Sequence, residues 1–166
     1  YFHLIEDQLK QGKQVLYLLP EISLTTQIIQ RLNKHFSDVT GIYHSRFSNA
    51  EKVEIWNRVA GAGSTKDYKL IIGARSALFL PFRNLGMVIV DEEHDGSYKQ
   101  HDPAPRYHAR DSAIILDGLH RAKIILGSAS PSIESYNNAL SGKYGLVELK
   151  ERYGSIKLPE IILANS

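Results

Sequence analysis

An apolar run in the middle of the chain ends abruptly in three carboxylates and an imidazole. Residues 88–90 are Val-Ile-Val, a run typical of a buried strand, and Asp91, Glu92, Glu93 and His94 follow directly. Mg²⁺ prefers oxygen ligands and usually keeps several waters beside one or two carboxylates. In phosphoryl transfer, Asp91 would hold Mg²⁺ and Glu92 would orient or activate the attacking water. A solvated acidic turn explains these residues equally well when they are considered alone.

Polar or small residues also follow three other apolar runs. These segments are Pro20-Glu21 after residues 15–19, GARS (73–76) after 69–72, and GSASPS (127–132) after 123–126. Small residues let hydroxyl and backbone groups approach a neighbouring loop closely. Arg75 and Ser76 offer phosphate a guanidinium and a hydroxyl. Ser130 or Ser132 also suits an ordinary helix N-cap.

Short apolar runs alternate with segments of helical periodicity along the chain. The predicted strands are 15–19, 39–43, 69–72, 85–90, 123–126 and 146–149. The predicted helices are 1–9, 24–36, 49–60, 109–120 and 132–140. Continuous apolar strands separated by amphipathic helices indicate an α/β fold with a mostly parallel sheet and helices on both faces. Ligands of such sheets bind beyond the carboxyl ends of the strands, where the polar segments fall.

Composition sets the broad class of protein. A chain of 166 residues with 43% hydrophobic and 23% charged residues suits one soluble domain with a core. The net charge of +2 is too small to indicate a nucleic-acid binder by itself, so any basic surface must be local. The absence of cysteine excludes disulfides and thiolate metal sites from this chain. Its N-terminus does not resemble a signal peptide.

Aromatic, basic and proline residues are concentrated in residues 96–110, directly after the acids. Tyr98 and Tyr107 offer flat faces for stacking, worth roughly 1–3 kcal/mol per base of single-stranded DNA. Three cations can meet phosphates or stack on rings: Lys99, Arg106 and Arg110. Two prolines keep the segment from forming a helix. The alternative is a plain surface loop whose tyrosines pack on the domain.

Five segments, in order and spacing, resemble those of superfamily 2 helicases: LLPEISLT, GARSALF, VIVDEEHDGSYKQ, PRYHARDSA and LGSASPSIES. Within that superfamily, residues 1 to about 163 are similar to the replication-restart helicases of the bacterial primosome. The resemblance implies a three-layer P-loop NTPase (RecA-like) fold. It assigns motif Ia to 20–25, motif Ib to 73–79, motif II to 91–94 and motif III to 127–132. The family often has Thr at positions 74 and 130, and of the two only Ser130 keeps a hydroxyl.

The resemblance also implies residue roles. Asp91, as the Mg²⁺ ligand, and Glu92, as the water-activating acid, would form the catalytic pair of an ATP site. His94 would link that site to motif III and to DNA, and Ser128 and Ser130 would couple hydrolysis to domain movement. The residues expected along single-stranded DNA are Pro20, Thr25, Arg75, Ser76, Tyr98, Lys99, Arg106 and Tyr107.

Parts of such a motor are expected outside this chain. No segment matches the P-loop pattern, because both Gly-Lys pairs are followed by residues other than Ser or Thr. We therefore expect residues 1–166 to be a single partial ATP-binding lobe, truncated at the N-terminal strand and P-loop. The second lobe and a cysteine-rich zinc module would follow it. The isolated chain would then lack ATPase activity, and residues 123–126 would form an exposed apolar sheet edge.

The expected parent is an ATP-dependent DNA helicase that moves 3′ to 5′, recognises stalled forks and restarts replication. Its cofactors would be ATP and Mg²⁺, with Zn²⁺ bound outside this chain. The expected partners are single-stranded and forked DNA, primosome and replication-restart proteins, and single-stranded DNA-binding protein, with no membrane. Its expected location is the bacterial cytoplasm, in association with the nucleoid.

Two other functions fit parts of the sequence. A metal-dependent hydrolase could use the histidines at 94, 101 and 108 together with Asp91 and Asp111. Prolines between those histidines prevent a regular helical ligand face. A non-catalytic module that binds nucleic acid or protein is the other alternative.

Overall fold

Five parallel strands form the centre of the fold in the computed structural model, which describes residues 1–21, 26–62 and 66–149. The strands are β1 (Gln14–Leu18), β2 (Thr40–Tyr43), β3 (Leu70–Gly73), β4 (Leu85–Asp91) and β5 (Lys123–Gly127). Their order in the sheet is β2-β3-β1-β4-β5, and each neighbouring pair is parallel. The predicted parallel sheet of an α/β fold is confirmed.

Helices precede or connect the strands near the predicted positions. They are α1 (Phe2–Lys10), α2 (Thr26–Phe36), α3 (Asn49–Ala60), α4 (Ala109–His120) and α5 (Ile133–Leu140). Short 3-10 turns occupy Ser37–Val39, Arg75–Phe79 and Gly96–Tyr98. A capping box starts α3, because Ser48 Oγ accepts from Glu51 N and Glu51 Oε2 accepts from Ser48 N.

The strand predicted at 146–149 is wrong. Residues 145–149 have no regular secondary structure, and Leu146, Val147 and Leu149 are exposed. A short apolar run becomes a strand only where a neighbouring strand can take its backbone hydrogen bonds. No such neighbour is present within the described part of the chain.

The sheet is covered on both faces because successive side chains of a strand point in opposite directions. Val15 and Ile89 lie in the apolar cluster formed with α1 and α2. Leu16 and Val90 lie in the cluster formed with α3 and α4. Every residue of β1 is buried, which explains the continuous apolar run in its sequence.

Strand register brings the polar segments to one edge of the sheet. Leu18, the last residue of β1, pairs with Val90, and Asp91 of β4 pairs with Gly127 of β5. The chain therefore leaves β1, β4 and β5 at nearly the same level. In the described sheet β5 lies at one side with β4 as its strand neighbour, as expected for a sheet edge.

The chain divides into two compact units. The first comprises Tyr1–Ser132, with the whole described sheet and helices α1 to α4, and the second begins at Ile133 and includes α5. The expectation of a single lobe over residues 1–166 stays a prediction. Across the described ranges, every helix is too short or too polar to cross a membrane.

Gly73, at the end of β3, has no room for a side chain. An added Cβ would lie 2.7 Å from Ala77 Cβ and 2.8 Å from the Tyr43 carbonyl oxygen. Gly73→Ala should therefore lower the free energy of unfolding by about 1–3 kcal/mol, as measured by urea denaturation.

Gly118 provides the matched control, because it lies inside α4 and an added Cβ there meets nothing within 4 Å. Gly118→Ala should raise the free energy of unfolding by about 0.5–1 kcal/mol, since alanine loses less backbone entropy in a helix. Equal losses from both substitutions would contradict the crowding at Gly73.

Candidate functional site

The carboxylate of Asp91 is held in place at the carboxyl end of β4. Its Oδ2 accepts a hydrogen bond from the Tyr17 hydroxyl at 2.8 Å. Its Oδ1 accepts from the Tyr1 hydroxyl at 3.3 Å and from the backbone N–H of Glu92 at 3.2 Å. Tyr17 belongs to β1 and Tyr1 precedes α1, so two elements orient one half-buried carboxylate. An oriented carboxylate of this kind suits Mg²⁺, which takes one or two such ligands and keeps its waters.

Both tyrosines that bind Asp91 remain hydrogen-bond donors at neutral pH. Burial and the adjacent negative charge of Asp91 raise the pKa of Tyr1 to about 12. Burial, followed by the charge of Asp91, also raises the pKa of Tyr17. Neither hydroxyl was predicted as a site residue, because a tyrosine inside an apolar strand is indistinguishable from a core residue in sequence.

Glu92 occupies a backbone conformation that few residues with a side chain adopt. Its φ is +48°, in the left-handed region, where a non-glycine residue costs on the order of 1–3 kcal/mol. Its carbonyl accepts from Asp95 N at 2.8 Å, which closes a tight turn after β4. The Glu92 side chain is 46% exposed, so water can reach its carboxylate. Strain of this type is concentrated at functional positions.

His94 joins the turn after β4 to the turn after β5. Its Nδ1 lies 2.6 Å from Ser128 Oγ, and its Nε2 lies 3.5 Å from Ser130 Oγ. A backbone hydrogen bond from Glu93 N to the Gly127 carbonyl, 3.0 Å long, reinforces the connection. The structure thus brings together the residues expected to link motif II with motif III.

The segment after the acids folds back on itself instead of forming a helix. Lys99 and His108 form an antiparallel bridge, and Gln100 N donates to the Tyr107 carbonyl at 2.9 Å. Gln100 Nε2 donates to the carbonyls of the two prolines, at 2.8 and 3.1 Å. We call residues 99–108 the aromatic loop. The non-helical conformation expected from its prolines is confirmed, whereas the role of Gln100 has no signal in the sequence.

Arg75 supports the start of the aromatic loop. It lies in the 3-10 turn after β3, and its Nη1 donates to the carbonyls of Ser97 and Lys99, both at 3.0 Å. Its guanidinium is therefore committed in part to protein carbonyls. Contact of its other nitrogens with a phosphate stays a prediction.

The expectation that Tyr98 stacks on a base is wrong for this conformation. The residue is 1% exposed, so neither ring face is accessible. Its hydroxyl donates to the carbonyls of Asp91 at 2.6 Å and Leu18 at 3.1 Å, joining the ends of β4 and β1. Burial and the charge of Asp91 raise the pKa of Tyr98, which keeps that donor protonated.

Other residues expected to contact DNA are also turned inward. Pro20 is buried directly after β1, and Ser76 Oγ is buried without a hydrogen-bond partner in the described part of the chain. Arg110 points to Glu93 instead of solvent, at 3.2 Å. Thr25 lies outside the described residues. Pro20 and the Ser76 hydroxyl are buried in this structure, and their contact with DNA stays a prediction.

An exposed aromatic pair remains at the aromatic loop. The rings of Phe79 and Tyr107 meet edge to face, with centroids 5.1 Å apart, and Phe79 is 57% exposed. Arg106 is exposed and Lys99 is half-buried in the same loop. Burial raises the pKa of Tyr107. Phe79 was missed in the sequence because an apolar residue at the end of a turn looks like a core residue.

The histidines of the metallohydrolase alternative do not form a metal site. Across residues 1–21, 26–62 and 66–149, no three His, Asp or Glu side chains come together in a way that could hold an ion. That alternative therefore has no site in the described structure.

Comparison with known proteins places the chain in a family. The family model for DEAD/DEAH box helicases matches residues 1–139. The chain belongs to the DEAD/DEAH box helicase family. The expected membership of the superfamily 2 helicases is confirmed.

Relatives of this chain include proteins named replication restart protein PriA. It is 52% identical to replication restart protein PriA of Rickettsia felis over 161 residues, which are 97% of this chain and 24% of that protein. It is 46% identical to PriA of Chlamydia pneumoniae and 43% identical to PriA of Bacillus subtilis, over 99% of this chain and 22% and 20% of theirs. The chain thus spans about a fifth to a quarter of the length of these curated relatives. The expected resemblance to replication-restart helicases is confirmed.

A solved structure supports the fold. The chain resembles the C-terminal domain of S. cerevisiae Dbp5 bound to Gle1 and IP6, with a TM-score of 0.51 and 15% identity. The match covers 87% of this chain and 78% of that one. At this identity the likeness concerns the fold alone. The expected RecA-like fold is confirmed.

Removing the hydroxyl of Tyr98 should destabilise the protein. Tyr98→Phe keeps the buried ring but leaves two strand-end carbonyls without their donor. We expect the free energy of unfolding to fall by about 1–3 kcal/mol in urea denaturation.

Tyr107→Phe is the matched control from the same segment, since the Tyr107 hydroxyl makes no hydrogen bond within the described residues. It should change the free energy of unfolding by less than about 0.5 kcal/mol. If the two variants unfold at the same urea concentration, the structural role of the Tyr98 hydroxyl is refuted.

Proposed function

We propose that the chain is part of the ATP-hydrolysing motor of a DNA helicase that restarts replication. The observation that carries the proposal is the arrangement of Asp91, Glu92 and His94 at one sheet edge, with His94 2.6 Å from Ser128 of the next turn. Membership of the DEAD/DEAH box helicases and similarity to proteins named replication restart protein PriA support it. The complete activity is proposed for a longer protein, because the curated relatives are about four to five times as long as this chain.

The acids divide the chemistry between them. Asp91, oriented by Tyr17 and Tyr1, would hold the Mg²⁺ that accompanies ATP. When bound, Mg²⁺ neutralises charge that develops on the phosphates during transfer. Glu92 has a carboxylate open to water and would orient the attacking water and accept its proton. Asp91 is already engaged by its tyrosines, so Glu92 is the freer of the two acids to act as the base.

Coupling and DNA contact would use the neighbouring turns. His94 would convey the state of the ATP site to motif III through its contacts with Ser128 and Ser130. Lys99, Arg106 and Tyr107 of the aromatic loop, with Phe79 beside it, would contact single-stranded DNA. Aromatic faces stack on bases without regard to sequence, and cations follow the phosphates. The 3′ to 5′ direction of translocation is proposed from the similarity to replication-restart helicases and not from these contacts.

These 166 residues do not contain every part of the proposed helicase. A P-loop lysine and a second-lobe arginine would complete the ATP site, and Zn²⁺ would be bound by a separate module. We therefore propose that residues 1–166 alone do not hydrolyse ATP or unwind DNA. Stalled forks, primosome proteins and single-stranded DNA-binding protein are the proposed partners of the complete helicase.

Replacing Glu92 should abolish ATP turnover in the full-length protein. Glu92→Gln keeps the size of the side chain but removes the proton acceptor, so DNA-stimulated hydrolysis should fall by about 10²–10⁴-fold. Steady-state phosphate release with and without single-stranded DNA measures this. Glu54→Gln, on the exposed face of α3, is the matched control and should retain full turnover. Unchanged turnover in Glu92→Gln with intact DNA binding would favour the non-catalytic nucleic-acid-binding module.

Phe79 should contribute to binding of single-stranded DNA. Phe79→Ala removes an exposed face and should weaken binding by about 1–3 kcal/mol, the range for one stacked base. Fluorescence anisotropy of a labelled oligothymidylate with the full-length protein measures the affinity. Trp56→Ala, which removes an exposed aromatic from α3, should leave the affinity unchanged. Equal weakening by both would show that Phe79 has no specific role.

A further inference from the structure

Glu93 is a buried carboxylate that has no role in the ATP hydrolysis proposed for Asp91 and Glu92. It is 1% exposed, and it lies between Glu92 and His94. Its Oε1 accepts from the backbone N–H of Ser132 at 2.6 Å, and its Oε2 accepts from Ser132 Oγ at 3.0 Å. Arg110 Nη1 donates to the same Oε2 at 3.2 Å. A buried charge is tolerated only when it is paired and hydrogen-bonded in this way.

The partners of Glu93 come from separate segments of the chain. Arg110 is the second residue of α4 and follows the aromatic loop by two positions. Ser132 ends the motif III turn that contains Ser128 and Ser130. Arg110 Nη1 also donates to Ser132 Oγ at 2.7 Å, which closes a triangle of contacts. We call Glu93, Arg110 and Ser132 the Glu93 clasp.

The Glu93 clasp joins the start of α4, directly after the aromatic loop, to the turns proposed for the ATP site through three side chains and the backbone N–H of Ser132. The bridge between Lys99 and His108 fixes the base of the loop, and α4 starts at the next residue. Rearrangement of the aromatic loop on binding DNA would displace the start of α4. Arg110 would transmit that displacement to Glu93. Since Glu93 directly follows Glu92, its movement alters the turn that holds Glu92. By contrast, the main-chain bond from Glu93 to Gly127 does not involve the loop.

We infer that Arg110 is a positioning residue which, through Glu93 and Ser132, makes ATP turnover depend on DNA bound at the aromatic loop. The inference rests on the proposed function, a DNA-stimulated ATPase. The role of Arg110 depends on the geometry of its guanidinium, because one nitrogen reaches Glu93 and Ser132 and another reaches Asp111. The Nε donates to Asp111 Oδ1 at 2.9 Å on the solvent side. Lysine keeps the charge but cannot reproduce this fork.

The test uses the full-length protein with Arg110→Lys, Ser132→Ala and the control Asp111→Asn. ATP turnover is measured without DNA and over a titration of oligothymidylate, and thermal melting reports folding. In Arg110→Lys and Ser132→Ala, the ratio of DNA-stimulated to DNA-free turnover should fall about tenfold. DNA-free turnover and the DNA concentration at half-stimulation should stay within about twofold. Asp111→Asn should keep the ratio, because it removes only the solvent-side partner.

The outcomes separate the inference from simpler explanations. If both rates fall by the same factor, or if the ratio is retained in folded variants, the coupling role of the Glu93 clasp is refuted. If Arg110→Lys does not melt cooperatively, the turnover ratio of Ser132→Ala tests the inference, since this variant leaves the Glu93–Arg110 ion pair intact. Wild-type protein whose turnover ignores DNA would refute the proposed function and this inference with it. In a variant that combines Arg110→Lys with Ser132→Ala, a loss of the ratio no larger than the greater single loss supports a shared pathway.

Discussion

Burial of β1 and β4 on both faces restricts polar chemistry to the ends of these strands. A strand enclosed by helices on either side has no position along its length where a charged group can meet water. Parallel pairing then places the carboxyl ends of β1, β4 and β5 at one edge, with Asp91 opposite Gly127. The carboxylates proposed for an ATP site follow β4 at that edge, Ser128 and Ser130 follow β5, and the aromatic loop begins eight residues after Asp91.

Tyrosine hydroxyls tie this edge to the buried strands. Tyr17 and Tyr98 rise from opposite apolar clusters, and each places its hydroxyl at the β4 terminus, one on the Asp91 carboxylate and the other on its carbonyl. Their rings contribute to the core while their hydroxyls satisfy polar groups at its rim. Asp91 is thereby fixed by groups that cannot move without disturbing the core, and its carboxylate is preorganised as a result.

The aromatic and cationic residues in and around the aromatic loop are of two kinds, some buried and others exposed. Tyr98 and Arg110 are drawn inward, where they satisfy strand-end carbonyls and the Glu93 carboxylate. Tyr107, Arg106 and the neighbouring Phe79 keep exposed or partly exposed surface that a nucleic acid can reach. Both groups are aromatic or cationic, so sequence alone cannot separate them. The difference arises in the fold, where Tyr98 reaches the carbonyls at the ends of β1 and β4 and Arg110 reaches the Glu93 carboxylate.

The sequence by itself determined the alternation of strands and helices, the position of the acids after β4 and the family. Each follows from local pattern: apolar runs, helical periodicity and ordered motifs. It was wrong at 146–149, where an apolar run has no neighbouring strand, and at Tyr98, whose burial depends on β1. Tertiary structure alone decided that Tyr17 binds Asp91 and that Glu93 pairs with Arg110 and Ser132. These contacts join residues 17 to 74 positions apart, and no local pattern encodes which distant groups meet once the sheet closes.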